Sequence, residues 1–284
     1  MKHFPTLDTN YINGLHFLIT EQRVCHFIGT GALKSLLFVS RFTSQLVREW
    51  MQRLESDLSD GAEAFRIPSM GHYSRSQFIQ LMKYTYVTRC VLPIRFEKHG
   101  LPLSLRARQE ARYAHLQLGG DVPIYLQYSS GKGWGVFAGD MISEHTCVGE
   151  YVGEVLSTAE IQKRYRQKYD GSGQNYVLVL REGLVEIQAS GPQILRTNVD
   201  ATYFGNFTRF INHGCDPLLS IEVFRIDSYI PRLFFYTNRH VKKGEELTFD
   251  YGVSTDVLNT KHVYKKCLCS SDLCRKRLPF DASV

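Results

Sequence analysis

Between residues 32 and 58, "ALKSLLFVSRFTSQLVREWMQRLESDL", apolar side chains recur at helical spacing. Phe42, Leu46, Trp50, Leu54 and Leu58 fall four apart, with Val39, Val47 and Met51 beside them. A stripe of this width buries itself, so the spacing predicts an amphipathic helix packed on a core rather than a free partner-binding surface. "GAEAFRIPSMG" then interrupts with Gly and Pro. Residues 74–90 and 104–117 are further helix candidates, which makes residues 1–118 a mainly α-helical region in which no motif carries chemistry.

The texture changes near Leu118, Gly119 and Gly120. Short runs rich in β-branched and aromatic residues follow, separated by turn residues: "VPIYLQY", "WGVFA", "TCVGEYVGEVL", "YVLVL", "LVEIQA", "IEVFRI" and "RLFFYTN". "YVLVLREGLVEIQA" reads as a hairpin. One helix is predicted among the strands, "STAEIQKRYRQKY", opened by Ser157 and Glu160 at capping-box spacing. This half is mostly β, built of small sheets, and the chain is α+β overall. It contains no internal repeat and no low-complexity tract.

Length and charge narrow the class. The 284 residues make one large domain or two smaller ones. No apolar run approaches the ~18 residues of a membrane span. The opening "MKHFPTLDTNYINGLHFLIT" lacks the basic-apolar-small layout of a signal peptide. The expectation is an intracellular protein without membrane contact. The net charge of +6 lies in residues 1–120, which hold 15 Lys+Arg against 9 Asp+Glu, whereas residues 121–284 hold 19 of each. A basic N-terminal part suits an acidic partner such as nucleic acid or chromatin, and a solvated basic helical surface accounts for it equally well.

Four stretches carry candidate chemistry. In "GKGWGVFA", Gly131 to Ala138, glycines at alternate positions let backbone approach a ligand, but no phosphate-loop frame is present. "CLCSSDLC" places Cys267, Cys269 and Cys274 at C-x-C-x4-C, three thiolates where tetrahedral zinc wants four. The fourth candidate is Cys215, in "RFINHGCDP"; Cys25, Cys90 and Cys147 stand apart and read as small buried apolar residues. In "GEELTFDYG", Phe249 and Tyr251 alternate onto one side of a strand, with Asp250 on the other.

Taken in order, "GKGWGVFA", "EYVGEVL", "NVDATYFGNFTRFINHGCDP", "GEELTFDYG" and "CLCSSDLC" resemble the SET-domain protein-lysine methyltransferases with a post-SET zinc module. The resemblance covers about residues 120–277 and is strongest to the class that methylates the ninth-residue lysine of the histone H3 tail. It implies a pseudoknotted, β-clip-like SET fold over residues 119–252 and a post-SET zinc-binding tail over 253–284. It implies S-adenosylmethionine as methyl donor, held by Lys132, Gly133 and Trp134 in the glycine loop and by Arg209, Phe210, Asn212 and His213. Tyr251 takes the position of the proposed catalytic residue. Tyr151 and Tyr176 match further channel tyrosines, and Phe249 falls where phenylalanine goes with di- or trimethylation. One zinc ion on Cys215, Cys267, Cys269 and Cys274 would tie the tail to the "NHGC" loop. The implied partners are a histone H3 tail and chromatin, the implied place is the nucleus, on chromosomes, and the protein is expected to be a monomer.

The chain departs from the family pattern in three places. Gly214 replaces the serine of "NHSC", and Leu218 replaces the asparagine of "CDPN". Only Cys25 and Cys90 precede the glycine loop, so a nine-cysteine, three-zinc pre-SET module is absent, and the helical N-terminal part is the candidate brace in its place. The missing module leaves open a non-histone substrate, and Gly214 and Leu218 leave open an inactive scaffold. Glu154 and Asp250 resemble an acid–base pair but are expected to be structural, and Asp200 to brace the loop after it.

Overall fold

The computed structural model describes residues 41–92, 121–169, 176–184, 193–225, 230–252 and 265–279. The helix candidate 104–117 and Cys25 lie outside them. The first element among the described residues is helix α1, Arg41–Ser56. Its stripe buries Leu46, Val47, Trp50 and Leu54 as the spacing predicts, and Leu58 follows them into the core. The chain leaves the helix through Asp57, whose carboxylate accepts hydrogen bonds from the backbone N–H groups of Ser59, Gly61 and Ile67. That carboxylate folds "SDGAEAFRI" back, so that Leu58 N–H reaches the Ile67 carbonyl at 2.9 Å.

The helix expected over 74–90 is much shorter. Ser74 and Gln77 form a capping box that starts α2, Arg75–Phe78, and a 3₁₀ turn, Ile79–Met82, ends it. The chain is then extended, because Thr85–Tyr86 (β2) pairs in parallel with Phe204–Gly205 (β9). Ser69–Met70 (β1) likewise adds itself to a strand of the β-rich half, at Leu126 and Gln127. Residues 41–92 therefore share one core with that half: Trp50, Leu54, Leu58, Ile67, Phe78, Leu81 and Tyr84 belong to the same buried cluster as Leu126, Trp134, Phe207 and Phe210. Burying a side chain of this size contributes roughly 1.5–3 kcal/mol.

Among the described residues the β-rich half forms three sheets. The largest contains Ile124–Ser129 (β3), Gly133–Ala138 (β4), Cys147–Tyr151 (β5), Leu219–Phe224 (β11), Arg232–Thr237 (β12) and Glu246–Phe249 (β13), in the order β1-β3-β4-β13-β11-β12-β5. A two-residue strand, Asn212–His213 (β10), joins it by pairing in parallel with β13. The second sheet is β2-β9. The third is Glu154–Leu156 (β6), Gln193–Asp200 (β8) and Val177–Leu184 (β7), with β8 in the centre. The hairpin expected within 176–189 is longer than the pattern suggests. "REG" continues β7, and the return strand is "QILRTNVD", paired from Leu184↔Gln193 to Val177↔Asp200.

Helix α3, Thr158–Arg164, begins where the capping residues place it, with Ser157 Oγ accepting from Glu160 N–H. It is shorter than "STAEIQKRYRQKY", since Tyr165–Tyr169 widen into a π turn. Arg164 at its end explains the acidic residues Glu154 and Asp200. Its guanidinium makes a bidentate pair with Glu154 (2.6 and 3.0 Å) and reaches Asp200 at 2.9 Å. Asp200 is fully buried, and its other oxygen accepts from Thr202 N–H at 3.0 Å. Glu154 and Asp200 thus hold β6, β8 and α3 together.

Removing the cation strands two carboxylates, one of them wholly buried. Arg164→Met is expected to cost about 3 kcal/mol in chemical denaturation, the range for breaking a buried pair on one side. A loss under about 1 kcal/mol would mean that the triad is not buried in solution.

Candidate functional site

The glycine loop is the tip of the β3–β4 hairpin, whose register runs to Ser129↔Gly133. Gly131 and Gly133 take φ of 88° and 82°, the left-handed region that the tight tip requires. Lys132, between them, forms an ion pair with Glu246 on β13. The other oxygen of Glu246 accepts from Asn212 Nδ2 at 2.8 Å, and Asn212 Nδ2 also reaches the Trp134 carbonyl at 3.2 Å. One carboxylate therefore joins the loop, its tryptophan strand and the "RFINHG" segment. The Trp134 ring is buried, its Nε1–H donates to the Gln77 carbonyl at 3.0 Å, and Tyr73 and Tyr128 flank it at 5.0 and 5.6 Å between centroids. The flat apolar face of Trp134 is thus spent on packing against residues 73–78.

"TRFINHG" descends through a 3₁₀ turn, Phe207–Phe210, into β10. Asn212 lies opposite Thr248 and His213 opposite Phe249, and Gly214 N–H donates to the Phe249 carbonyl at 3.0 Å. Gly214 fits because it has no side chain. A Cβ there would stand 2.5 Å from Thr248 Oγ1 and 2.8 Å from Thr248 Cβ. Thr248 fills the space that a serine at 214 would occupy, which accounts for "NHGC". Leu218, the other departure, is buried beside Leu219, and its carbonyl accepts from Asn238 N–H at 2.8 Å.

Arg209 points elsewhere. Its Nε donates to the Ala201 carbonyl at 2.8 Å, and its guanidinium lies 3.7 Å from the Tyr176 ring centre and 4.2 Å from that of Tyr84. Phe210 is 5.0 Å from the same cation. His213 is buried. Its Nδ1 accepts from Tyr251 N–H at 3.3 Å, and its Nε2 stands 3.3 Å from Cys215 Sγ. Burial lowers its pKa against the opposing pull of Asp250.

Four rings and His213 form a continuous wall. Tyr151 contacts Phe235 (6.1 Å), Phe235 contacts Phe249 (4.9 Å), Phe249 contacts Tyr251 (4.7 Å), and Tyr251 contacts His213 (5.3 Å). The expected pairing of Phe249 and Tyr251 is present, and Asp250 faces away to accept from Arg275 Nη2 at 2.7 Å. Tyr251 is 44 % exposed through its ring, while its hydroxyl turns inward to the Ile211 carbonyl at 3.0 Å. Tyr151 donates to the Tyr176 carbonyl at 2.5 Å. Burial raises the pKa of both hydroxyls, so both remain protonated donors at neutral pH.

The sulfurs of Cys215, Cys267, Cys269 and Cys274 all lie within 4.8 Å of one another, with Cys215 and Cys267 at 3.8 Å. A zinc–thiolate tetrahedron with bonds of ~2.3 Å has edges of about 3.8 Å, so the set fits one zinc ion. Backbone donors support thiolates: Arg275 N–H reaches Cys215 Sγ at 3.3 Å and Lys276 N–H reaches Cys274 Sγ at 3.4 Å. Burial pushes Cys267 up to about 12. In Cys269 burial is outweighed by hydrogen bonds from the Cys215 and Ser271 backbone and the neighbouring thiols, which bring it down to about 6. Cys90 and Cys147 are half-buried, not buried as expected, and burial raises their thiols to about 12 and about 11.

No pattern in the sequence singles out Glu246, Phe235, Thr248, Tyr84 or Arg275. None belongs to a spacing that marks it. Each matters through a partner far away in the chain, as Glu246 does through Lys132 and Asn212.

Gly214→Ser should lower stability by about 1–3 kcal/mol through overpacking, and Thr248→Ala in the same chain should restore most of the loss; a stable single variant would show that the two positions do not compete. Elemental analysis should find one zinc per chain, Cys269→Ser should lower that content, and chelation should lower the melting temperature. Folded protein with no zinc would remove the four-cysteine site.

The chain is similar to known proteins both in sequence and in fold. The SET domain family model matches residues 133–252. Human histone-lysine N-methyltransferase SETMAR is 36% identical over 162 residues, which cover 54% of this chain and 23% of SETMAR. The probable histone-lysine N-methyltransferase set-23 of Caenorhabditis elegans is 36% identical over 160 residues, 56% of this chain and 61% of that protein. The match thus spans less than two thirds of either relative. The crystal structure of the methyltransferase domain of human SETMAR superimposes with a TM-score of 0.60 at 24% identity, over 79% of this chain and 98% of that one. Arabidopsis thaliana SUVH6 in complex with SAM gives 0.56 at 20% identity, over 79% and 55%. The family model runs from the glycine loop to Gly252, and over residues 133–252 this chain matches the SET domain family.

Proposed function

We propose that the protein is an S-adenosylmethionine-dependent protein-lysine N-methyltransferase acting on a histone, with the H3 tail as substrate and chromatin in the nucleus as its place of work. The observation that carries this reading is the wall of Tyr151, Phe235, Phe249 and Tyr251, ending where the Tyr251 hydroxyl meets the Ile211 carbonyl, one residue from Asn212. The relatives' names, histone-lysine N-methyltransferase, and the SAM-bound state of SUVH6 support the substrate class and the methyl donor.

S-adenosylmethionine supplies, when bound, a methyl group made electrophilic by its sulfonium. The residues that would hold it are Asn212, backbone of the Lys132–Trp134 loop and backbone of Phe210 and His213. Arg209 supports this set from behind, since its Nε and Nη2 are engaged on the Ala201 and Thr202 carbonyls.

The protein's own contribution starts with desolvation. A lysine amine attacks only as the free base, and its ordinary pKa of ~10.4 falls when it leaves water for an aromatic wall. No dedicated strong base is needed, in keeping with Glu154 and Asp250 being tied to Arg164 and Arg275. The rings exclude water and align the amine. The Tyr251 hydroxyl and the Ile211 carbonyl oxygen stand together at the end of the wall, suited to weak contacts with polarised C–H groups. Phe249 presents no hydroxyl that could hold a water, which favours repeated transfer to give di- or trimethyllysine. Residues 41–92 take the place of a cysteine-rich brace, through β1, β2 and the Trp134 contact.

Mass spectrometry of histones and of whole lysate after incubation with S-adenosylmethionine reports protein, site and methyl count together. Methyl groups on H3 support the full reading. Labelling confined to other proteins moves the substrate, and no labelling by folded, zinc-loaded protein refutes the activity. Tyr251→Phe should cut kcat by about fivefold or more, the scale of losing a C–H···O contact of ~1 kcal/mol, while costing only about 1 kcal/mol of stability. Phe249→Tyr should shift the product towards monomethyllysine.

A further inference from the structure

Arg209 is buried, and among the described residues it makes no ion pair with a carboxylate. Its charge is met by the Ala201 and Thr202 carbonyls and by two aromatic faces, Tyr176 at 3.7 Å and Tyr84 at 4.2 Å. The two faces come from different parts of the chain. Tyr176 heads β7 in the SET domain. Tyr84 belongs to the N-terminal segment, where parallel pairing holds it: Thr85 N–H donates to the Tyr203 carbonyl and Val87 N–H to the Gly205 carbonyl, each at 2.8 Å. The Tyr84 ring also packs on Phe210 at 5.7 Å.

From the cation the contacts lead directly to the reacting end. The Tyr176 carbonyl accepts from the Tyr151 hydroxyl (2.5 Å) and from Ala201 N–H (3.0 Å). Tyr151 starts the wall that ends at Tyr251. In Tyr84 the ring and the hydroxyl differ: the oxygen is buried and has no hydrogen-bond partner among the described residues. What Tyr84 contributes is therefore its π face, since its hydroxyl bonds nothing there.

We infer that Tyr84, outside the SET domain, is a positioning residue for methyl transfer, holding Arg209 against Tyr176 so that Tyr176 keeps Tyr151 in the wall. This rests on the methyltransferase reading above. The N-terminal segment thereby supplies one half of a cation clamp, without which the SET domain's own tyrosine has a single-sided partner.

The test compares Tyr84→Phe with Tyr84→Leu in the full chain, assayed well below each melting temperature. Tyr84→Phe keeps the face and should retain kcat/KM within about twofold, whereas Tyr84→Leu should lose about tenfold or more, the scale of a desolvated cation–π contact. Wild-type kcat/KM in Tyr84→Leu would overturn the inference. So would a loss in Tyr84→Phe equal to that in Tyr84→Leu, which would assign the effect to the hydroxyl. Tyr84→His, a ring with a weaker face, replaces the leucine variant if that one does not fold; an intermediate loss supports the clamp, and no loss overturns it. A second readout does not depend on turnover. In fluorotyrosine-labelled protein, the ¹⁹F resonances of Tyr176 and Tyr151 should move in Tyr84→Leu and stay in Tyr84→Phe. If the wild type transfers no methyl group to any protein, the proposed function fails while these resonances still decide the clamp, and unmoved resonances would overturn it.

Discussion

The site depends on one short parallel pairing, Asn212–His213 against Thr248–Phe249. It puts two segments distant in the chain side by side, and each residue of the pair carries a different load. Asn212 reaches back to Trp134 and Glu246, His213 receives Tyr251 N–H, and Phe249 enters the aromatic wall. Backbone hydrogen bonds fix the spacing at the usual strand distance of ~4.8 Å. The side chain of Thr248 therefore has nowhere to go but into the space beside residue 214, which must then be glycine. Cys215 follows at once, so the same pairing delivers the fourth sulfur to the tail.

Charge is handled by pairing buried groups across elements. Arg164 holds two carboxylates, Glu246 holds a cation and an amide, and Arg232 makes a bidentate pair with Glu150. Arg209 is handled differently, with carbonyls and rings in place of an acid. A guanidinium tolerates this because it is planar, weakly hydrated and attracted to aromatic faces.

Much of the site was legible in the sequence because its motifs are local. "GKGWGVFA" is a hairpin tip, and two of its glycines have positive φ. "CLCSSDLC" supplies three sulfurs within eight residues, and Phe249 and Tyr251 share a face as strand alternation requires. The helix 41–56 followed from its apolar stripe. The misreadings share a cause. "YVLVLREGLVEIQA" contains turn residues at 181–183, but pairing with β8 keeps the strand extended through them. The helix expected over 74–90 stops at 82, because "YTYVT" is β-branched and aromatic and the backbone donors of Thr85 and Val87 meet the Tyr203 and Gly205 carbonyls. Intrinsic propensity is worth fractions of a kcal/mol per residue and yields to tertiary hydrogen bonding and burial.

By itself the sequence determined which side chains were available and the local shape of each motif: the alternation in "TFDY", the cap at Ser157, the thiol spacing in the tail. Only the tertiary structure decided what those residues face. It turned Trp134 onto residues 73–78, gave Arg209 to two tyrosines, set Cys215 against Cys267 and left Gly214 as the one residue that fits beside Thr248. The reason is range. Caps, turns and alternation are set by neighbours a few residues away, whereas burial and pairing depend on surfaces that meet only when distant segments pack, and no local pattern encodes which will meet.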